Sequence, residues 1–143
     1  MSQWIELHGA LLLAVVDYGP WGSSDVLVLL QVLIHEKEDP DVPHSAVNSS
    51  HAVIGIHFSE GSFHALPSAL PVSLDVADFS YSGEVLMNMI PFQLGCAFEA
   101  PTLSIFSFID RDFMEVDSEL IIKGSRARLS VLGKLRPLGD SIL

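Results

Sequence analysis

The sequence predicts an all-β domain, an antiparallel β-sandwich or flattened barrel of about ten strands. Apolar segments recur roughly every ten to fifteen residues with Gly, Pro, Ser and Asp between them, which is typical of antiparallel sheets. No segment keeps an apolar stripe of helical period for three turns. At 143 residues the chain has the usual length of one domain, so we expect residues 1–143 to bury a single core.

Each predicted strand is an apolar segment bounded by turn residues. Leu27–Leu33 also fits a helical period, but its β-branched residues and the turn-like segment before it favour a strand. Residues 38–50 contain two prolines and mostly polar side chains, which predicts a surface loop. So many strands in one domain imply a curled or layered sheet, because a flat one would leave an apolar face in water. The predicted strands are Ile5–Val16, Val26–Glu36, His51–Ser59, Phe63–Leu66, Val72–Phe79, Glu84–Ile90, Leu94–Glu99, Leu103–Asp110, Met114–Ile122 and Arg126–Leu132.

A two-residue turn at Glu60-Gly61 predicts a hairpin in which His57 lies directly opposite His64. Opposed residues on neighbouring strands have Cβ atoms about 5 Å apart, close enough for two imidazoles to share a divalent metal. A further ligand would have to come from Glu60 or another strand, because His51 lies roughly 20 Å upstream at about 3.3 Å per residue. One hypothesis is therefore a metal-binding protein or metal-dependent enzyme that uses His57 and His64. The alternative is two ordinary histidines of a sheet.

Acidic residues are densest between positions 110 and 119, where every second residue from Glu115 to Glu119 is a carboxylate. This alternation predicts an acidic face on one strand. A second hairpin, turning at Lys123-Gly124, would place Glu119 opposite Arg128 and partly neutralise that face. The pattern lacks the turn glycine of a calcium loop. The candidate partner-binding residues are Asp110, Asp112, Glu115, Asp117 and Glu119, together with Trp21 in a glycine-rich loop.

Charge is distributed unevenly along the chain. Eighteen Asp and Glu stand against seven Lys and Arg, and residues 1–110 contain thirteen acids but only one basic residue, Lys37. Such a body disfavours nucleic acids and anionic membranes, whose phosphates are bound by Lys and Arg. The charge therefore predicts a basic protein partner, unless it serves only to keep the domain soluble.

No motif of nucleophilic, metalloprotease or phosphate-binding chemistry occurs, so no cofactor is implied and we expect a binding domain rather than an enzyme. Cys96 is the single cysteine and lies in an apolar run, which predicts a buried thiol and no internal disulfide. The first ten residues lack the basic region of a signal peptide, and the apolar runs are too short to span a bilayer. We therefore expect a cytoplasmic protein.

The order of features over residues 4–110 resembles some small bacterial immunity proteins that neutralise polymorphic toxins. The shared features are a short opening strand with the letters HG (Ile5–Ala10), a long apolar second strand, a proline-containing polar loop, an alternating strand such as His51–Ser59, and a later apolar run from Leu94 to Ile109. The resemblance implies a stoichiometric inhibitor whose acidic face covers the basic active site of a nuclease-like toxin. It brings no catalytic residues, and the basic segment from Lys123 onward has no counterpart in it.

A third hypothesis is a structural subunit of a homo-oligomer. Val26–Ile34 and Leu103–Ile109 carry apolar residues on both faces, which is typical of a strand that is central in a fold or covered by a partner.

Overall fold

A computed structural model describes residues 2–18, 24–38, 41–43, 46–64, 67, 70–91, 97–110, 112–116 and 119–134. The described residues form twelve β-strands in one curled antiparallel sheet and no helix, which confirms the predicted all-β class. None of them forms a helix long and apolar enough to cross a membrane. The strands are β1 (Ser2–Tyr18), β2 (Asp25–Lys37), β3 (Val47–Ser59), β4 (Ser62–His64), β5 (Val72–Tyr81), β6 (Glu84–Met87), β7 (Met89–Pro91), β8 (Ala97–Glu99), β9 (Thr102–Ile109), β10 (Glu115–Val116), β11 (Leu120–Lys123) and β12 (Arg126–Lys134).

The backbone pairing runs in the order β4-β11-β9-β5-β1-β2-β3-β12-β8. The ladder between β2 and β3 is regular and runs without a register shift from Val26↔Phe58 to Lys37↔Val47. β3 therefore begins earlier than the sequence predicted, because residues 47–50, three of which are polar, continue the ladder along the full length of β2. The predicted strand Met114–Ile122 corresponds to two short strands, β10 and β11, which both pair with β9.

Two neighbouring ladders, formed by three strands, are interrupted at the same level. Ser59 pairs with Arg126 in the β3–β12 ladder, and after two skipped residues in each strand the β4–β11 ladder resumes with Ser62 and Lys123. The β8–β12 and β9–β11 ladders likewise skip two residues in each strand. We call these three segments, 60–61, 100–101 and 124–125, the shared bend. Because register is kept across it, β3–β4, β12–β11 and β8–β9 act as three long bent strands that join the two ends of the sheet.

Close backbone contacts explain the glycines of the shared bend. A Cβ on Gly124 would lie 2.9 Å from the carbonyl oxygen of Ser59 and 3.1 Å from the Cβ of Phe58. A Cβ on Gly61 would lie 3.0 Å from Phe58 and from a methyl group of Val26. Only glycine fits at these two positions without displacing the strands.

The pairing overturns both predicted hairpins. β3 pairs with β2 and β12, and β4 pairs with β11, so Glu60-Gly61 does not join two paired strands. β11 pairs with β9 and β4, whereas β12 pairs with β3 and β8, so the turn at Lys123-Gly124 is not a hairpin either. Both turn sequences are parts of the shared bend. There β3 continues into β4, and β11 continues into β12, instead of folding back into a hairpin.

The core lies on the inner face of the curled sheet. Along β2 every second residue is buried and the intervening ones are partly exposed, as a half-buried strand requires. Phe98 packs edge-on against Phe79 and Tyr81, with ring centroids 5.1 Å apart in each pair. The largest fully buried side chains are Phe58, Phe79, Phe108, Ile5, Leu7, Leu12, Leu30, Ile54, Ile56, Leu74, Ile90 and Leu103. Full burial of one such side chain stabilises the fold by about 1.5–3 kcal/mol.

β1 contains a bulge that its neighbours do not share. The ladder with β2 jumps from Glu6↔Leu33 to Leu11↔Gln31, so the four residues 7–10 face only one residue of β2. On its other side β1 pairs with β7 before this point and with β5 after it. We call residues 7–10 the β1 bulge. Gly9 has a φ of 77° there, a left-handed conformation that favours glycine.

Candidate functional site

The predicted acidic segment forms a tight connection between β9 and β10. The carboxylate Oδ1 of Asp110 accepts hydrogen bonds from the backbone N–H groups of Asp112 (2.9 Å) and Met114 (3.0 Å). Its backbone N–H donates to the carbonyl oxygen of Met114, and the N–H of Phe113 donates to the carbonyl oxygen of Asp110. Asp110 therefore stabilises the turn through hydrogen bonds to its backbone, and its carboxylate is not simply a solvent-exposed charge.

This connection presents apolar side chains to solvent. Phe113 is 88% exposed, Met114 is 63% exposed and Val116 is 41% exposed. The backbone of Phe113 has a φ of 60°, which is uncommon for a bulky residue. We call residues 112–116 the hairpin tip. Asp112 and Glu115 are exposed beside these apolar residues, so the tip combines an aromatic anchor with negative charge.

The acids of this region are not neutralised in the predicted way. Arg128 pairs with residues of β3 and β8, so its predicted position opposite Glu119 is wrong. Arg126 lies beside Glu99, with a nitrogen–oxygen distance of 3.5 Å. Glu119 is exposed. The other two predicted contact residues, Asp117 and Trp21, lie outside the described residues, as does Cys96.

Acidic side chains also occur elsewhere on the sheet. Exposed or partly exposed acids lie on β1, β2, β5 and β8 as well as near the hairpin tip. Among the described residues, negative charge is therefore not confined to the hairpin tip. The hairpin tip is distinguished by the exposed Phe and Met among its acids.

The two predicted metal-binding histidines do not face each other. His57 lies between Leu27 of β2 and Arg128 of β12, whereas His64 pairs with Ile121 of β11. The hairpin on which the shared metal site depended is absent, because β3 and β4 are not paired strands. Within the described ranges, no group of three His, Cys, Asp or Glu side chains is placed to hold a metal ion.

His57 instead contacts a carboxylate. Its Nε2 lies 2.9 Å from Oδ2 of Asp25, whose other oxygen accepts a hydrogen bond from the backbone N–H of Glu60 at 3.2 Å. The hydrogen bond from His57 and, next, that from Glu60 hold the pKa of Asp25 below its ordinary value of 3.8, against the opposing effect of partial burial. Asp25 thus ties the start of β2 to the shared bend.

Two clefts flank the β1 bulge. The larger, of about 300 Å³, lies on the β5 side and is lined by His8, Asp75, Asp78 and Asn88 among others. The ring nitrogen Nδ1 of His8 donates a hydrogen bond to the carbonyl oxygen of Asp75 at 2.8 Å. The smaller, of about 140 Å³, lies on the β2 side and also includes His8. The bulge therefore opens the surface on both sides of one strand.

Asp75 and Asp78 share a face because β5 has its own irregularity. The ladder with β9 shifts between Leu74 and Val76 and shifts back between Val76 and Ala77, so the alternation of β5 is interrupted at Asp75 and Val76 while the register on either side is the same. Asp75 is held by Ser107, whose buried hydroxyl donates to its Oδ2 at 2.9 Å. Sequence reasoning missed these acids, because an alternating pattern places residues three apart on opposite faces.

A second polar arrangement spans the outer face of three adjacent strands. His35 of β2 contacts Glu6 of β1 through Nε2 at 2.8 Å and Ser49 of β3 through Nδ1 at 2.6 Å. The ring of Trp4 lies against the imidazole, with centroids 5.5 Å apart. Sequence reasoning missed this arrangement because it assigned Ser49 to a loop. The signal that could have found it is the continuation of extended backbone from residue 47, opposite the polar end of β2.

The strands proposed for a homo-oligomer interface carry apolar groups on their outer faces. Leu27, Leu29 and Leu33 are partly exposed on β2, and Phe106 of β9 is 42% exposed. An interface between copies of the chain at these positions stays a prediction. No protein-family model, curated protein or solved structure matches this chain.

Proposed function

We propose that the protein is a protein-binding domain that docks a basic partner through the hairpin tip, by contact alone and without catalysis at that surface. The observation that carries this proposal is the exposure of Phe113. Its side chain is 88% exposed, although the backbone N–H groups of Asp112, Phe113 and Met114 are all hydrogen-bonded to Asp110. Exposed aromatic residues surrounded by polar groups are the usual anchors of protein interfaces.

Preorganisation supports this role. Ordering a flexible loop on binding costs about 0.5–1.5 kcal/mol for each immobilised side chain, in addition to the cost for the backbone. The hydrogen bonds from Asp112 and Met114 to Asp110 keep the tip in one conformation before a partner arrives. The tip can therefore present Phe113 and Met114 with little further loss of entropy.

Charge supports the choice of partner. With a formal net charge of −11, the protein attracts basic proteins from a distance and repels nucleic acids and anionic membranes. Asp112 and Glu115 place negative charge directly beside the anchor. The most concrete form of this proposal is an immunity-type inhibitor that occludes the basic active site of a toxin.

The test needs a candidate partner, which is sought among basic, toxin-like products of the reading frames next to that of this chain. We expect Phe113→Ser to raise the Kd at least about 30-fold, because loss of an anchor costs about 2 kcal/mol or more. The matched control is Val85→Ser, since Val85 is 63% exposed on β6 and lies outside the tip. Equal Kd values for the two variants would contradict the tip as the docking surface.

Charge is tested separately, with Asp112→Asn combined with Glu115→Gln. We expect this double variant to slow association and to weaken its salt dependence between about 0.05 and 0.3 M salt, with a smaller effect on dissociation. Asp110 is left unchanged because it holds the turn. An association rate that is independent of salt in the unaltered protein would rule out the electrostatic part of the proposal.

A further inference from the structure

We propose that Ser49, His35 and Glu6 form a second site, which hydrolyses esters of short carboxylic acids. Ser49 is the nucleophile, His35 is the general base and Glu6 is the residue that positions the base. The site lies on the outer face of β1, β2 and β3, and it depends on no residue of the hairpin tip.

Glu6 selects the tautomer of His35 that the reaction needs. Its carboxylate can only accept a hydrogen bond, so Nε2 of His35, at 2.8 Å, carries the proton. In the neutral ring Nδ1 then has a free lone pair, and it faces the hydroxyl of Ser49 at 2.6 Å. An acid, an imidazole and a serine in this order are the parts of a hydrolytic triad, although the two ring nitrogens have exchanged roles.

The surroundings hold the imidazole while leaving the nucleophile accessible. The side chain of His35 is only 17% exposed, since Trp4 covers one side of the ring. Ser49 is exposed. A fixed base beside an accessible hydroxyl is the geometry that nucleophilic catalysis requires.

A cleft for the substrate lies next to the nucleophile. The cleft of about 140 Å³ beside the β1 bulge is lined by Leu33 and His51. Leu33 is two residues from His35 on β2 and His51 is two residues from Ser49 on β3, so both lie on the same face as the site. Residues two apart on a strand are about 7 Å apart. A cleft of this size has room for a short acyl chain.

The same cleft contains a hydrogen-bond donor near the nucleophile. His51 lines it two residues from Ser49 on β3, and an imidazole N–H group is able to stabilise the developing negative charge of an oxyanion. Gln31 is opposite Leu11, directly after the β1 bulge. The bulge therefore opens the space that an unbroken ladder would fill.

The reaction proceeds in two steps. The Oγ of Ser49 attacks the ester carbonyl carbon as its proton passes to Nδ1 of His35, and the carbon–oxygen bond to the alcohol breaks as the alcohol takes that proton. Water then attacks the acyl-serine, giving its proton to His35. The carboxylic acid leaves and the proton returns to Ser49, so one ester and one water give one acid and one alcohol.

The first experiment needs no variant. The full chain is treated with a fluorophosphonate probe, and the labelled peptide is identified by mass spectrometry. We expect the label on Ser49. Labelling of other serines alone, or no labelling, overturns the proposal.

The second experiment measures hydrolysis of p-nitrophenyl acetate, butyrate and octanoate. We expect the two short esters to be hydrolysed faster than the octanoate, and Ser49→Ala to reduce the rate to background. His35→Asn is expected to lower it about 100-fold or more. Ser130→Ala and His57→Asn are the matched controls, because Ser130 is an exposed serine of β12 and His57 belongs to another imidazole–carboxylate pair. Full activity of Ser49→Ala, or an equal loss in the controls, overturns the proposal.

Glu6 acts through His35, so its variant is judged by a different quantity. We expect Glu6→Gln to lower kcat and to leave KM within about two-fold, because the amide no longer selects the productive tautomer. An equal rise in KM would indicate a merely structural role. Val85→Ser, at an exposed position outside both the hairpin tip and this site, is expected to leave hydrolysis unchanged.

Discussion

The shared bend and the β1 bulge are both interruptions of the sheet, yet they have opposite consequences. At the shared bend, three neighbouring strands each skip two residues, so their two ladders resume in the same register and the core stays closed. At the β1 bulge four residues of β1 face one residue of β2, and clefts open on both sides of β1, the larger of them also bordering the irregularity of β5. The shared bend keeps the register and shapes the fold, whereas the β1 bulge shifts the register of β1 against β2 and leaves space for a ligand.

The largest effect is expected at the shared bend. Gly124→Ala should lower the free energy of unfolding by about 3 kcal/mol, because the new methyl group would lie 2.9 Å from the carbonyl oxygen of Ser59. Urea unfolding followed by fluorescence measures this change. Gly133→Ala is the control, since nothing lies within 4 Å of a Cβ at that position. A similar stability of the two variants would show that the bend tolerates side chains.

A smaller loss is expected at the β1 bulge. Gly9→Ala has open space around its methyl group but must keep a φ of 77°, which costs about 1 kcal/mol for a residue with a Cβ. Because the bulge lines both clefts, the same variant should also change the ester hydrolysis proposed for the smaller cleft. Unfolding by urea and the rate with p-nitrophenyl acetate are measured on one preparation. A loss of more than about 3 kcal/mol would mean that the bulge is part of the core.

The smallest effect depends on pH and again concerns the shared bend. The pKa of Asp25 is lowered in the folded protein, so its carboxylate stabilises the fold above its ordinary value of 3.8, and this contribution is lost as the pH falls through the lowered value. Asp25→Asn should therefore be less stable than the unaltered protein near pH 5.5, and the difference should shrink toward about pH 3. Urea midpoints at the two pH values test this. The pH-dependent stabilisation acts at the shared bend because the backbone N–H of Glu60 donates a hydrogen bond to the Asp25 carboxylate. A difference that grows on acidification would contradict the direction of the shift.

The strands themselves could be predicted well, because alternation of apolar and polar residues is a local property. The core positions of β2 and the even-numbered residues of β3 from Ala52 to Phe58 follow directly from that pattern. Partners could not be predicted in the same way. Gly61 and Gly124 are typical of tight turns, and a short turn usually joins strands that pair with each other. Here the glycines allow three bent strands to approach closely, and a local sequence pattern cannot predict such contacts.

The candidate sites show the same division. The acids of residues 110–119 were found from the sequence because they are adjacent in the chain, but the exposure of Phe113 and the role of Asp110 in the turn required the structure. The contacts of His35 with Ser49 and with Glu6 join residues 14 and 29 positions apart, across three strands. Such a contact depends on register, and register is set by pairing along the whole sheet.

The sequence by itself determined the all-β class, the inward face of the long strands and the negative charge, because each depends only on which residues occur and how they alternate. The tertiary structure alone decided which strands pair, where β1 leaves its neighbours and which polar side chains meet. The physical reason is that backbone hydrogen bonds are nearly the same for every residue. The choice among pairings is therefore made by the closure of the whole core and by a few close contacts, such as those of Gly124 with Ser59 and Phe58.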